Sequence, residues 1–254
     1  MILFFSDLDN TLIYSNKHRK SDDICIELNK GKEQGFMTPN TYNLFQECIK
    51  KVMFIPVTTR SIEQYNRIEW PEGFKPEYEI TTNGAIIFNK GEIEPDWIDK
   101  SKASFGKYKA ELLSSQEKLI KEDKYIRCRI VDDMYLFAYC KDDVKASDCA
   151  KENENQHLSV VASGKKLYFF PPSINKGAAV CEVIHRLNPT LTIAAGDSII
   201  DVPMLNSVDI AIVPNEYLAN KIITPTKYVS SGNEPFSEYV LKTITKELFI
   251  DDSI

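Results

Sequence analysis

The run Ile2-Leu3-Phe4-Phe5-Ser6-Asp7-Leu8-Asp9-Asn10-Thr11-Leu12 sets the reading of the whole chain. Its first five residues form a short, continuous apolar segment with aromatics, the pattern of a strand buried on both faces. That strand runs straight into two acids, Asp7 and Asp9. Two further segments repeat the arrangement. Val52 to Val57 is apolar and meets Thr58, Thr59 and Arg60; Thr192 to Ala195 meets Gly196 and Asp197, with Asp201 four residues on. Helical segments separate these strands, and alternating strands and helices argue for a parallel sheet covered on both faces.

Working outward, Ile24 to Leu28 and Gln34 to Met37 flank Asn29-Lys30-Gly31-Lys32 and predict a hairpin. Thr38 before Pro39 predicts a helix start, with a hydroxyl cap and a proline where no N–H is needed. Helices are expected from there to about Lys51 and from Ser61 to about Ile68. The middle of the chain breaks the rhythm. Asp96 to Phe170 reads helix-strand-strand twice, an antiparallel sheet with helices on one face. After Pro171-Pro172 the alternation resumes, ending in a helix expected over Glu234 to Leu248. The fold expected is therefore an α/β core, a parallel sheet with helices on both faces, split by an inserted α+β cap (αββαββ). The expected division is 1–84 and 171–254 for the core and 85–170 for the cap.

Bulk properties narrow the partners. The 254 residues are 43% hydrophobic and 27% charged, an ordinary globular balance, with a net charge of -6. A mildly acidic chain has no general attraction for nucleic acid or an anionic membrane, so neither is expected as a partner. The six cysteines, Cys25, Cys48, Cys128, Cys140, Cys149 and Cys181, form no C-x-x-C pair. Neither a zinc site nor a disulfide framework is suggested, and buried reduced thiols are the simpler reading. The apolar start reaches Asp7 without a basic region or cleavage site, unlike a signal peptide, and no apolar run is long enough to span a bilayer. A soluble cytoplasmic protein, monomer or weak homodimer, is the expectation.

An isolated Asp-x-Asp is ordinary; a turn or a helix cap explains most of them. Position gives this one weight, because in open α/β sheets ligands bind beyond the carboxyl ends of the strands. Parallel strands bring Asp7, Asp9, Thr58, Asp197 and Asp201 to one edge. Magnesium takes oxygen ligands and often only one or two carboxylates besides water and phosphate. A carboxylate also serves as a nucleophile, and a second acid nearby serves as general acid and base. A hydroxyl and a lysine hold phosphate oxygens. Lys176, opening a helix after Asn175, is the candidate cation.

Asp7-Leu8-Asp9-Asn10-Thr11-Leu12, Thr58-Thr59-Arg60, Lys176-Gly177 and Gly196-Asp197-Ser198-Ile199-Ile200-Asp201 together resemble the four motifs of the haloacid dehalogenase superfamily. Thr82-Asn83-Gly84-Ala85 and the inserted middle segment resemble its Cof-type, sucrose-phosphatase-like branch with subclass IIB caps. The resemblance covers nearly the whole chain and implies a Rossmann-like core and a magnesium-dependent phosphatase acting on a small phosphorylated metabolite, with a sugar phosphate as the expected kind. It implies Asp7 as nucleophile and metal ligand. Asp9 becomes general acid and base, with its carbonyl on the metal. Thr58 and the backbone N–H groups of Leu8 and Asp9 face phosphate, and Lys176 neutralises the phosphoryl group. Asp197 is a magnesium ligand, and Asp201 supports the metal or orients Lys176. Thr59, Arg60, Asn83 and Gly84 are candidate substrate contacts.

The chain departs from the usual pattern at three places. Asn10 replaces glycine but also tolerates unusual backbone angles. Thr59 replaces the glycine of Thr-Gly-Arg, and Ile200 stands where asparagine is usual. A sugar phosphomutase, and a non-catalytic phosphometabolite-binding protein to which Ile200 lends some support, are the rival readings. Arg127 and Arg129 share one face of an expected strand, and a solvated face is the simpler account. Lys165 and Lys166 read as a hairpin turn. His18, His157 and His185 show no ligand spacing.

Overall fold

The computed structural model describes residues 1–247. In chain order the elements are β1 (Ile2–Ser6), β2 (Tyr14–Ser15), β3 (Ile24–Asn29), β4 (Lys32–Met37), α1 (Pro39–Cys48), β5 (Met53–Pro56), α2 (Ile62–Tyr65), β6 (Tyr78–Thr81), β7 (Ile86–Asn89) and β8 (Glu92–Ile93). The middle continues with α3 (Pro95–Lys121), β9 (Tyr125–Val131), β10 (Tyr135–Cys140), α4 (Ala146–Glu152), β11 (Ser159–Ser163) and β12 (Lys166–Phe170). Then follow α5 (Lys176–Leu187), β13 (Leu191–Ala195), α6 (Val202–Leu205), β14 (Ile210–Val213), α7 (Glu216–Ala219), β15 (Thr226–Val229) and α8 (Phe236–Lys242).

The central sheet runs β15-β14-β13-β1-β5, and every pairing in it is parallel. β1 sits between β13 and β5, so the three strands singled out by sequence are neighbours and end on one edge. Alternate residues feed two cores. Phe4 and Phe54 point to the α1 and α8 side, where Phe45 stacks on Trp70 at 5.3 Å. Leu3, Phe5 and Ile55 point to the other, packing with Val180, Val183 and Met204. The helix starts follow local chemistry: Thr38 accepts from the Thr41 N–H at 2.9 Å with Pro39 at the first turn, and Asn175 accepts from the Ala178 N–H at 2.9 Å.

The second large sheet runs β11-β12-β10-β9 and is antiparallel. Leu136, Ala138, Leu167 and Phe169 on one face pack against Phe105, Leu112 and Leu119 of α3. The expected architecture, a parallel core sheet and an antiparallel cap with helices on one face, is the one observed. Small sheets add β2-β4-β3 and β6-β7-β8.

Some boundaries differ from expectation. α2 ends at Tyr65 rather than near Ile68, because Ile68 bridges to Glu27 and the Glu69 N–H bonds the Ile26 carbonyl at 2.7 Å. α8 ends at Lys242 and passes into a π-helical turn over Thr243–Glu247. The expected helix end at Leu248 lies outside the described residues. All six cysteines are free. No helix among the described residues is long and apolar enough to cross a membrane.

Candidate active site

Asp7 is fixed by its place in the sheet: its N–H bonds the Ala195 carbonyl at 2.9 Å, continuing the β1–β13 ladder. The chain then turns sharply. Asn10 holds a left-handed φ of 63°, and the N–H groups of Asn10, Thr11, Leu12 and Ile13 are all bonded within the turn. Asparagine tolerates this conformation, which is how it stands in for glycine here. Leu8 and Asp9 leave their N–H groups without a protein acceptor among the described residues. The turn thus presents two free donors beside the Asp7 carboxylate.

Lys176 is the centre of the arrangement. Only 1% exposed, its ammonium donates to Asp7 Oδ1 and Asp201 Oδ1, both at 2.5 Å. Burial alone would lower its pKa, but Asp201 and Asp7 outweigh that and hold it above the ordinary lysine value. Two close contacts set the position of α5. A Cβ on Gly177 would lie 2.4 Å from the Pro203 carbonyl oxygen, and one on Gly84 2.4 Å from the Asn175 carbonyl oxygen. Asp201 Oδ2 accepts from the Ser198 N–H and hydroxyl, each at 2.9 Å, which orients its other oxygen to Lys176.

Asp7, Asp197 and Asp201 bring carboxylate oxygens within 4.8 Å of one another. Burial, and then Asp7 and Asp201, push the Asp197 carboxyl up to about 8. Burial, opposed by Lys176 and reinforced by Asp201 and Asp9, raises Asp7 to about 6. Three crowded carboxylates with one ammonium between them are an electrostatic excess of negative charge. A hard divalent cation such as magnesium suits such an oxygen set, so the residues present fit one.

Thr58 and Arg60 follow β5. Thr58 is fully buried, and its hydroxyl accepts from the Arg60 N–H at 3.1 Å. Thr59 turns its carbonyl to the cap, accepting from the Tyr135 hydroxyl at 2.6 Å. Arg60 grips Asp9 with two bonds, Nε to Oδ2 at 3.0 Å and Nη2 to Oδ1 at 2.8 Å. Burial would raise the Asp9 pKa, but Arg60 outweighs it and holds the carboxyl down to about 2. The third face of the guanidinium bonds Glu27 at 2.8 Å, and Glu27, 1% exposed, also pairs with Arg67 at 3.0 Å.

Asn83 is 2% exposed, with φ 58°; its amide donates to the Ile174 carbonyl at 3.2 Å and its Oδ1 is buried without a partner. The backbone of this turn locks onto the strand end beside it, since the N–H groups of Asn83 and Thr82 bond the carbonyls of Thr58 and Arg60, each at 2.9 Å. The structure therefore gathers Asp7, Asp9, Thr58, Lys176, Asp197 and Asp201 at one edge, with Arg60 and the Asn83-Gly84 turn beside them.

The family model for haloacid dehalogenase-like hydrolase matches residues 96–215, a span that includes Lys176, Asp197 and Asp201. Over that span, just under half of its length, the chain is similar to the haloacid dehalogenase-like hydrolases. This match agrees with the superfamily resemblance carried by the motifs. Solved structures of the same fold overlay nearly the whole chain. The sucrose-phosphatase of Synechocystis sp. PCC6803, solved with sucrose and phosphate, is 14% identical with a TM-score of 0.66 over 95% of this chain and 96% of that one. A haloacid dehalogenase-like hydrolase from B. subtilis is 15% identical, TM-score 0.59, over 97% and 99%. A trehalose-6-phosphate phosphatase related protein is 17% identical, TM-score 0.55, over 96% of each. At these identities the likeness is one of fold. No curated protein matches the sequence significantly.

Sequence reasoning missed several residues of this site. Lys166 is not in a hairpin turn but opens β12, where Tyr168 first, and then Asp9 and Asp7, outweigh burial and hold its ammonium above the ordinary lysine value. Arg129 is not on a solvated face: its Nε is buried and its Nη2 lies 3.5 Å from Gln64 Oε1. Arg127 is exposed, as expected. Glu27, the hidden partner of Arg60, had no signal beyond its place in a polar hairpin. Ile200, 8% exposed, joins the apolar cluster of the cap with Ile86, Phe170 and Ile174. That packing accounts for an apolar residue in the asparagine position.

Proposed function

We propose that this haloacid dehalogenase-like chain is a magnesium-dependent phosphatase of small phosphorylated metabolites, sugar phosphates foremost, working through an aspartyl-phosphate. The observation that carries the reading is the buried Lys176 ammonium bridging Asp7 and Asp201 beside Asp197, at the ends of adjacent parallel strands. The core is taken as 1–84 and 171–254 and the cap as 85–170; the four-stranded sheet lying wholly within the second span supports this.

In the first step an Asp7 carboxylate oxygen attacks phosphorus as the ester P–O bond breaks, and Asp9 gives its proton to the leaving oxygen. In the second, Asp9 takes a proton from water, which attacks phosphorus and releases phosphate and the free Asp7 carboxylate. Asp7 must be ionised to attack, and Lys176 favours that form. Thr58 and the free N–H groups of Leu8 and Asp9 hold the phosphoryl oxygens. Asp7, Asp197, the Asp9 carbonyl and, in support, Asp201 would hold magnesium, which would supply positive charge to offset that of the phosphoryl group. Asp9 cannot donate a proton while Arg60 grips it, so substrate entry must loosen that pair. The Thr59, Arg60, Asn83 and Gly84 segments line the approach. The overlays with a sucrose-phosphatase and a trehalose-6-phosphate phosphatase related protein support sugar phosphates.

Phosphate release from p-nitrophenyl phosphate tests this. The wild type should turn over with magnesium and stop with excess chelator, and Asp7→Asn should lose on the order of 10³-fold or more in kcat. Retained turnover in Asp7→Asn refutes the nucleophile.

A further inference from the structure

The cap sheet has two faces, and only one is spent on the cap helices. The pairings of Phe137 with Arg129 and Tyr168, and of Tyr139 with Arg127 and Lys166, put these side chains on the opposite face. That face looks onto the catalytic edge. Tyr135 on it bonds the Thr59 carbonyl at 2.6 Å, Arg129 lies over Gln64, and Asp132 at the β9–β10 turn accepts from the Ile62 N–H at 3.0 Å and the Thr82 hydroxyl at 2.6 Å.

Two cations on this face have donors to spare. Lys166 makes no hydrogen bond and no ion pair within the described residues, although its register with Tyr139 puts it on this face and Asp9 and Asp7 act on its charge. Arg129 has a buried Nε without a partner and only one long contact at its tip. A buried guanidinium N–H with no acceptor is costly, so an acceptor is missing from this face. The phosphoryl group does not need these donors, since Lys176, Thr58 and the backbone N–H groups already serve it from the core. Strand spacing and rise put the Lys166 and Arg129 Cα atoms about 12 Å apart. Two long cationic side chains rooted that far apart converge on one anion lying between them, away from the phosphoryl group that the core holds. Between them lie the rings of Phe137, Tyr139 and Tyr168, apolar surfaces for a compact body.

We infer that the substrate is a phosphate ester whose leaving group bears a second negative charge, a carboxylate or another phosphate, received by Lys166 and Arg129 of the cap. This rests on the phosphatase reading and narrows it. Arg129 holds the far anion bidentately, as guanidinium does well. Lys166 lies between the far anion and the catalytic carboxylates.

The test compares kcat/KM on matched esters: glucose 6-phosphate with 6-phosphogluconate, and fructose 6-phosphate with fructose 1,6-bisphosphate. The wild type should favour the doubly charged member of at least one pair by about tenfold or more, the worth of one charge-assisted hydrogen bond. The first pair reports a carboxylate site and the second a phosphate site. Lys166→Met and Arg129→Met should shrink that preference towards one, and Lys166→Arg should keep much of it; melting curves confirm that each variant is folded. Equal kcat/KM within both pairs, or folded variants that slow both members alike, overturn the inference and leave the phosphatase reading standing. No phosphate release from any of the four esters or from p-nitrophenyl phosphate removes both.

Discussion

Arg60 binds two acids that want different things from it. In the proposed reaction Asp9 must give and take a proton, whereas Glu27 is buried and must stay paired. Removing one partner of a buried ion pair leaves an uncompensated charge, so Arg60→Met should cost about 3 kcal/mol at neutral pH, reduced somewhat because Arg67 still serves Glu27. The pH dependence follows from Asp9, whose folded pKa of about 2 lies below its unfolded value. A depressed carboxyl contributes stability above the unfolded pKa and loses it as pH falls towards the folded one. The gap in melting temperature between wild type and variant should therefore narrow from about pH 4 down towards pH 2. A gap that stays constant over that window would show that Arg60 does not hold Asp9. At this scale the strand-end residues were legible because burial before an acid is visible in sequence. Lys166 was not, because a lysine pair after glycine reads as a solvated turn until the other strands of the sheet fix its face. Glu27 was hidden for the same reason: its partner lies 33 residues on.

Among the elements, α5 bears the tightest constraint. Gly177 lies against the Pro203 carbonyl at the start of α6, with no room for a methyl group. Gly177→Ala should cost roughly 1–3 kcal/mol. By pushing α5 from α6 it should also separate Lys176 from Asp201 and lower kcat roughly 10²-fold. Gly106 within α3 has no neighbour for such a methyl, so Gly106→Ala should instead stabilise by about 0.5–1 kcal/mol. Chemical denaturation and steady-state kinetics of the two variants check this; equal effects would refute it. Nearly all strands and helices were readable from apolar runs and caps such as Thr38-Pro39. Their ends were less so, because long-range pairing decides them: α2 stops at Tyr65 since Ile68 and Glu69 pair with β3.

For the whole molecule, the join between cap and core depends on a few side-chain bonds. Asp132 reaches from the β9–β10 turn to Thr82 and Ile62. Thr82 holds a left-handed φ of 53°, uncommon for a β-branched residue, and its N–H supports the Arg60 carbonyl. Asp132→Ala removes both cap bonds, worth together about 2 kcal/mol. The variant should have a larger radius of gyration by small-angle scattering and faster proteolysis after β12, with KM raised more than kcat is lowered. Unchanged scattering and KM would show that the latch does not hold the cap. The sequence announced the cap by its change of rhythm but not its attachment, since Asp132 and Asp133 look like any polar turn.

The strand order of the central sheet also bears on time. β1 is made first, but one of its two neighbours, β13, begins at Leu191, whereas all four strands of the cap sheet lie between Tyr125 and Phe170. Local pairings close sooner than distant ones. On the ribosome the cap sheet is complete while β1 still lacks β13, and the Lys176 bridge cannot form until Asp201 has emerged. The nascent chain thus carries a finished cap sheet beside an unfinished strand-end site, with the apolar flank of β1 open to chaperones until the last third of the protein is synthesised.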